Sequence, residues 1–194
     1  MLNSLNHALT ATNLDPLSLE PLPPETRQRL LRFPLGLHDS ALLPLEEIAG
    51  IITVELNQIL PVPEMPGCVL GICNWRGEML WLVDLNHLVG CPPLSQIRQV
   101  LASPLAIVVE VNDQPLGLVV QQVNDIELHE LNYLQAATVG LFPSQLIPFI
   151  LGVLPGGNGP VLNVTAITQY PLLQIHRGEE ERGRGGEGER GRWF

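Results

Sequence analysis

Between Phe33 and Val164 no stretch of the sequence sustains a helical period: short apolar runs, many of them β-branched, are broken repeatedly by Gly, Pro, Asn and Asp. That rhythm belongs to a β-barrel or sandwich, where each short strand buries a face and ends on a residue that tolerates a turn. It predicts strands at 31–37, 40–45, 48–54, 68–74, 79–84, 104–111, 115–123, 125–129, 149–154 and 160–164. Asn112-Asp113 and Gly156-Gly157-Asn158-Gly159 supply left-handed geometry for two hairpins. Short helices are predicted at 84–89 and at 165–170, the latter capped by Asn163 or Thr165. Ten strands exceed one small sheet and fit two barrels, so the expected fold is all-β. Val83, Leu85, Ile107, Val109, Leu118, Val120 and Leu162 alternate along these strands and are expected to face the barrel interiors.

The chain divides into three regions. Residues 1–29, rich in Leu, Asn and Pro, are expected to form a loosely held arm, because Pro21, Pro23 and Pro24 stop any regular helix. Residues 30–176 form the body. Residues 177–194 alternate Arg, Gly and Glu with no apolar side chain before Trp193-Phe194, a composition that cannot offset the entropy of ordering. That tail is expected to be disordered, with its terminal aromatic pair a candidate docking peptide.

Charge narrows the function. The net charge is −10, all ten basic residues are Arg, and the tail's charges cancel, so a nucleic-acid backbone is repelled. From Phe33 to His176 there are two arginines, Arg76 and Arg98, against twelve acids, which leaves Arg76 almost alone as a cation. Without Lys no Walker A motif is possible, and Gly183-x-Gly185-x-x-Gly188 lacks the strand and helix that a dinucleotide fingerprint needs. Cys68, Cys73, His87 and Cys91 raise the question of zinc, but five residues separate Cys68 from Cys73, which puts them on opposite faces of a strand. No Gly-x-Ser-x-Gly elbow exists, and the acids sit at strand ends and turns. The expectation is a protein that is not an enzyme and holds no cofactor or metal. Three cysteines, an odd number, and no basic-then-apolar leader suggest the reducing cytoplasm, where Asn163-Val-Thr165 is no glycosylation acceptor. Apolar runs such as Leu146–Leu154 are short and interrupted by Pro148, so no membrane insertion is expected.

Residues 61–90 carry an identity: Pro66, Gly71, Asn74, Arg76, Gly77, Asp84 and Leu85 fall at the spacing of a Pro-bounded loop, a strand ending Asn-x-Arg-Gly, and a strand ending Val-Asp-Leu. This segment resembles the CheW-like domain, with Trp75 in place of the usual Leu, and the resemblance extends over about residues 30–175. It implies an all-β fold of two small five-stranded β-barrels around a shared core, in keeping with the ten strands counted above, and a non-enzymatic adaptor that couples the cytoplasmic tip of a chemoreceptor to the regulatory domain of a CheA-type histidine kinase. The output would be chemotaxis, phototaxis or pilus motility, with the protein in the cytoplasm and recruited to receptor arrays. It also implies partner-binding roles around Asn74, Trp75, Arg76 and Gly77, with Arg76 at the mouth of the receptor groove and Asn74 and Gly77 shaping the turn. Ile51 and Ile52 join this set, in a segment, Ala49-Gly50-Ile51-Ile52, where the family commonly carries an acid. The family's Asp after the central strand is Gln121 here. A different class of function, a small-molecule sensor or enzyme using a groove between the barrels, is the alternative.

Overall fold

The computed structural model describes residues 26–36, 39–97, 103–111, 114–138, 140–157 and 159–174. The expectations for the N-terminal arm before residue 26, the Asn112-Asp113 turn and the charged tail with Trp193-Phe194 lie outside the described residues. Ten strands are present: β1 (Gln28–Leu35), β2 (Asp39–Pro44), β3 (Ile48–Thr53), β4 (Val69–Trp75), β5 (Glu78–Asp84), β6 (Leu105–Val111), β7 (Gln114–Val120), β8 (Ile126–His129), β9 (Ile150–Val153) and β10 (Pro160–Leu162). Short helices α1 (Leu85–Leu88) and α2 (Val164–Thr168) follow β5 and β10, and α3 (Pro171–Gln174), which the sequence did not announce, ends the described chain.

The strands form two five-stranded sheets, a first of order β3-β6-β7-β5-β4 and a second of order β8-β1-β2-β10-β9. The expected closed barrels are corrected to open sheets, since no ladder joins β3 to β4 or β8 to β9 among the described residues. Instead, each edge strand runs into a 3-10 turn, Leu56–Gln58 or Leu131–Tyr133, and then meets the opposite edge at a single bridge, Leu60 to Ile72 or Gln135 to Val153. Beyond Leu60 the chain reads Pro61-Val62-Pro63, and prolines have no N–H with which to extend a ladder.

The two sheets follow one plan in circularly permuted order, which the registers make explicit. One row of partners crosses the first sheet as Gly50, Val108, Gly117, Leu82 and Gly71. The matching row of the second sheet is Arg32, Leu42, Val161 and Gly152. Gly71 and Gly152 end these rows for the same reason: a β-carbon on Gly71 would overlap the Leu60 carbonyl, and one on Gly152 would stand 2.7 Å from the Leu134 side chain. Each glycine is the place where the incoming bridge segment passes over the edge strand.

Three clusters form the core. The largest lies between the sheets and includes Leu31, Phe33, Leu43, Ile107, Leu118 and Leu162, together with Leu85 and Leu88 of α1 and Val164 and Ile167 of α2. All seven core residues named from the sequence are buried, but they face this shared seam and not a barrel interior. The concave interior of the first sheet is filled by Val54, Leu80, Leu82, Ala106, Val108 and Val119, and that of the second by Leu30, Leu42, Leu154 and Val161. Both helices are too short to persist alone. Side-chain caps hold them: Asp84 Oδ1 accepts from His87 N at 3.1 Å, and Asn163 Oδ1 from Ala166 N at 2.9 Å.

The interiors differ at one place. Where the first sheet buries Val108, Ile52 and Val54, the second puts Arg32, Glu127 and His129 at the equivalent register positions. Arg32 Nε and Nη2 donate to the two oxygens of Glu127 at 2.5 and 2.9 Å, and Nη1 donates to Ser40 Oγ at 2.7 Å. His129 Nε2 donates to Glu127 Oε2 at 2.7 Å. Hydrogen bonding from Arg32 outweighs burial and brings the Glu127 carboxyl down to about 2. The body therefore has more cations than a count from Phe33 suggests, with Arg29 near Glu46 and Arg32 bound to Glu127, both on β1.

Two expected outcomes follow. Leu118→Ala, at a fully buried site of the seam, costs about 2 to 5 kcal/mol by denaturant unfolding. Because folding lowers the Glu127 pKa, its contribution is complete above the ordinary value of 4.5 and fades as pH falls from there toward about 2. Glu127→Gln should therefore flatten stability between those pH values in acid titrations followed by circular dichroism, and an unchanged slope would show that the pair contributes nothing.

Candidate functional site

The tight β4–β5 connection joins the residues that the sequence singled out. Trp75 pairs with Glu78 across its ends, and the two residues between them, Arg76 at φ 54° and Gly77 at φ 87°, are both left-handed. Two positive φ values make a type I′ turn, whose twist matches that of the flanking strands. A β-carbon on Gly77 would touch nothing within 4 Å, so the position needs glycine for its backbone angle alone. Asn74 Oδ1 accepts the Gly77 N–H at 3.3 Å and closes the turn.

Arg76 is exposed, and its guanidinium carbon stands 4.6 Å from the centroid of the Trp75 ring. Among the described residues it makes no ion pair. Asp84, at the far end of β5, is not available to it: the carboxylate is 2% exposed and accepts backbone N–H groups from His87 and, at 2.8 Å, from Leu94. Trp75 is half-buried and, like Ala49, Ile52 and Cys73, packs against the buried cluster of the first-sheet interior. Its Cζ2 lies 4.0 Å from the place a β-carbon would take on Gly50, so the hairpin tip rests against β3. Ile52 thus points into the interior, whereas Ile51, 40% exposed, sits cross-strand from Ile107 on the other face.

The other candidate groups have structural occupations. Cys68 lies in the shared seam and Cys73 against the first-sheet interior, on opposite sides of β4, with Cys91 near the seam. Burial pushes all three thiols up. His87 Nδ1 faces the Gly67 carbonyl at 3.0 Å and donates to it, since a carbonyl only accepts. At the end of the first sheet away from the Arg76 turn lies a groove of about 810 Å³, lined by Val54, Leu56, Leu70, His87, Leu94 and Ile97. Sequence reading missed it because its walls come from six separate segments.

A model of the CheW-like domain matches residues 29–170 of the chain. The chain belongs to the CheW-like domain family. Among solved structures, the crystal structure of scaffolding protein TtCheW from Thermoanaerobacter tengcongensis shares its fold, with a TM-score of 0.56 and 19% identity over 70% of this chain and 87% of that one. No curated protein matches the chain. The Asn-x-Arg-Gly and Val-Asp-Leu motifs fall on the type I′ turn and on the β5–α1 junction of this CheW-like domain. No helix among its described residues is long and apolar enough to cross a membrane.

The Val-Asp-Leu junction yields a stability test. Asp84→Ala strands one buried backbone donor, Leu94 N–H, and one part-buried donor, His87 N–H, so unfolding should cost about 2 to 4 kcal/mol less. Asp84→Asn, which keeps an acceptor, should recover part of the loss in the same denaturant titration.

Proposed function

We propose that the protein is a non-enzymatic adaptor, coupling the cytoplasmic tip of a chemoreceptor-type protein to the regulatory domain of a CheA-type histidine kinase. Family membership and a fold shared with a scaffolding protein support a coupling role in chemotaxis-type signalling. The observation that carries the reading is Arg76, exposed on a rigid turn at the family's motif position and free of any carboxylate among the described residues. In a chain of net charge −10, such a cation attracts an anionic partner group where most of the surface repels one. Recruitment would take place in the cytoplasm, at receptor arrays. Ile51, exposed on the neighbouring edge strand, supplies apolar area for the same contact.

The protein should co-sediment with a receptor cytoplasmic fragment and a CheA-type kinase, and raise kinase autophosphorylation. Arg76→Ala should weaken that coupling while changing stability by only about 0.5 kcal/mol, as expected for an exposed side chain. If the kinase is unaffected and a metabolite instead raises the melting temperature, a small-molecule sensor using the 810 Å³ groove becomes the better reading.

A further inference from the structure

Type I′ turns favour Asn, Asp and Gly at their first central position, because few other side chains accept a left-handed backbone. Here that position holds Arg76, at φ 54°. Its side chain lies over the neighbouring ring: the guanidinium carbon is 4.6 Å from the Trp75 centroid, within cation–π range. The ring is itself fixed. It packs against the buried cluster of the first-sheet interior, with its Cζ2 4.0 Å from the place a β-carbon would take on Gly50, an ordinary contact distance to β3. The other polar group of the turn, Asn74, is engaged with Gly77 N–H.

We propose that Trp75 is a positioning residue, holding the Arg76 guanidinium over the indole so that its donor edge faces a partner's Asp or Glu carboxylate before contact. The inference rests on the adaptor reading of Arg76, and adds how that arginine is held and which chemistry it meets. A guanidinium fork matches a carboxylate with two parallel hydrogen bonds, and a fork already ordered loses less rotamer freedom on binding than a free one. The aromatic face orders the charge without neutralising it, which a carboxylate neighbour would do.

The test is a double-mutant cycle with a purified chemoreceptor cytoplasmic fragment as probe, read by calorimetry, with Arg76 side-chain proton shifts of the free protein read by NMR. Trp75→Leu should weaken binding about fivefold, and Trp75→Phe should stay within about twofold of the parent. In an Arg76→Ala background, Trp75→Leu should have no further effect, because Trp75 acts through Arg76. Arg76→Lys should bind nearly as poorly as Arg76→Ala, since an ammonium offers no fork. In the free protein the Arg76 δ and ε protons should be shifted upfield by the indole, an effect that Trp75→Leu removes and Trp75→Phe keeps. Equal losses from Trp75→Leu with and without Arg76, or no ring-current shift in the parent, would overturn the assignment. A parent that shows the shift yet binds neither receptor fragment nor kinase overturns the adaptor reading, and the carboxylate partner with it.

Discussion

The faces that β1, β2 and β10 turn toward β5, β6 and β7 carry Leu31, Phe33, Leu43, Ile107, Leu118 and Leu162, none more than 3% exposed. Neither sheet has another large source of stability. Besides this seam, the second sheet has four buried apolar residues of its own and the first has seven, among the described residues. Four side chains do not offset the entropy of ordering five strands, so the second sheet is a fold only when laid against the first. The helices α1 and α2 follow the same logic, each with a capping residue outside and two apolar residues in the seam.

The path of the chain reinforces that dependence. It lays down β1 and β2, crosses to build all of the first sheet, and returns to finish the second with β8, β9 and β10. The pairing of β1 with β8 joins residues about a hundred positions apart, from Gln28 with His129 to Leu31 with Ile126. Cutting the chain at either crossing therefore leaves the strands of the first sheet on one piece but divides the second sheet between two. The Arg32–Glu127 fork tightens the same long-range pair, which is a reason for a polar group to persist where the first sheet uses Val108. A fold closed by such distant contacts is expected to form slowly.

These relations explain which features were legible in the sequence. The ten strands were, because each apolar run carried its own terminating residues, and strand ends moved by only a few positions: β10 stops at Leu162 because Asn163 is taken as the cap of α2. Barrel closure was not legible, since it depends on whether two edges of a curled sheet come within hydrogen-bonding range. The fate of Arg32 was hidden because Leu31, Phe33 and Leu35 alternate with Arg32 and Pro34, which reads as one buried and one solvated face, whereas the second face of β1 lines the interior of its own sheet. The Asn74-to-Gly77 turn was readable from spacing, yet the stack of Arg76 on Trp75 was not. Stacking depends on the rotamers of the two side chains, which no residue spacing records.

Two sheets of one plan make their differences informative. At equivalent connections, β4–β5 presents Trp75 and Arg76, while β9–β10 runs through Pro155, Gly156 and Gly157 and offers no charged or aromatic side chain there. The interiors show the converse, with Val108 in the first sheet and Arg32 in the second. Two arginines are thus handled in opposite ways. Arg32 meets a carboxylate in a bidentate fork, and its charge is spent within the protein. Arg76 meets only an aromatic face, which restrains the side chain and leaves the charge in place. An ion pair in the turn would have neutralised Arg76 as Glu127 neutralises Arg32, whereas the indole restrains the side chain and leaves the charge that the proposed adaptor contact requires.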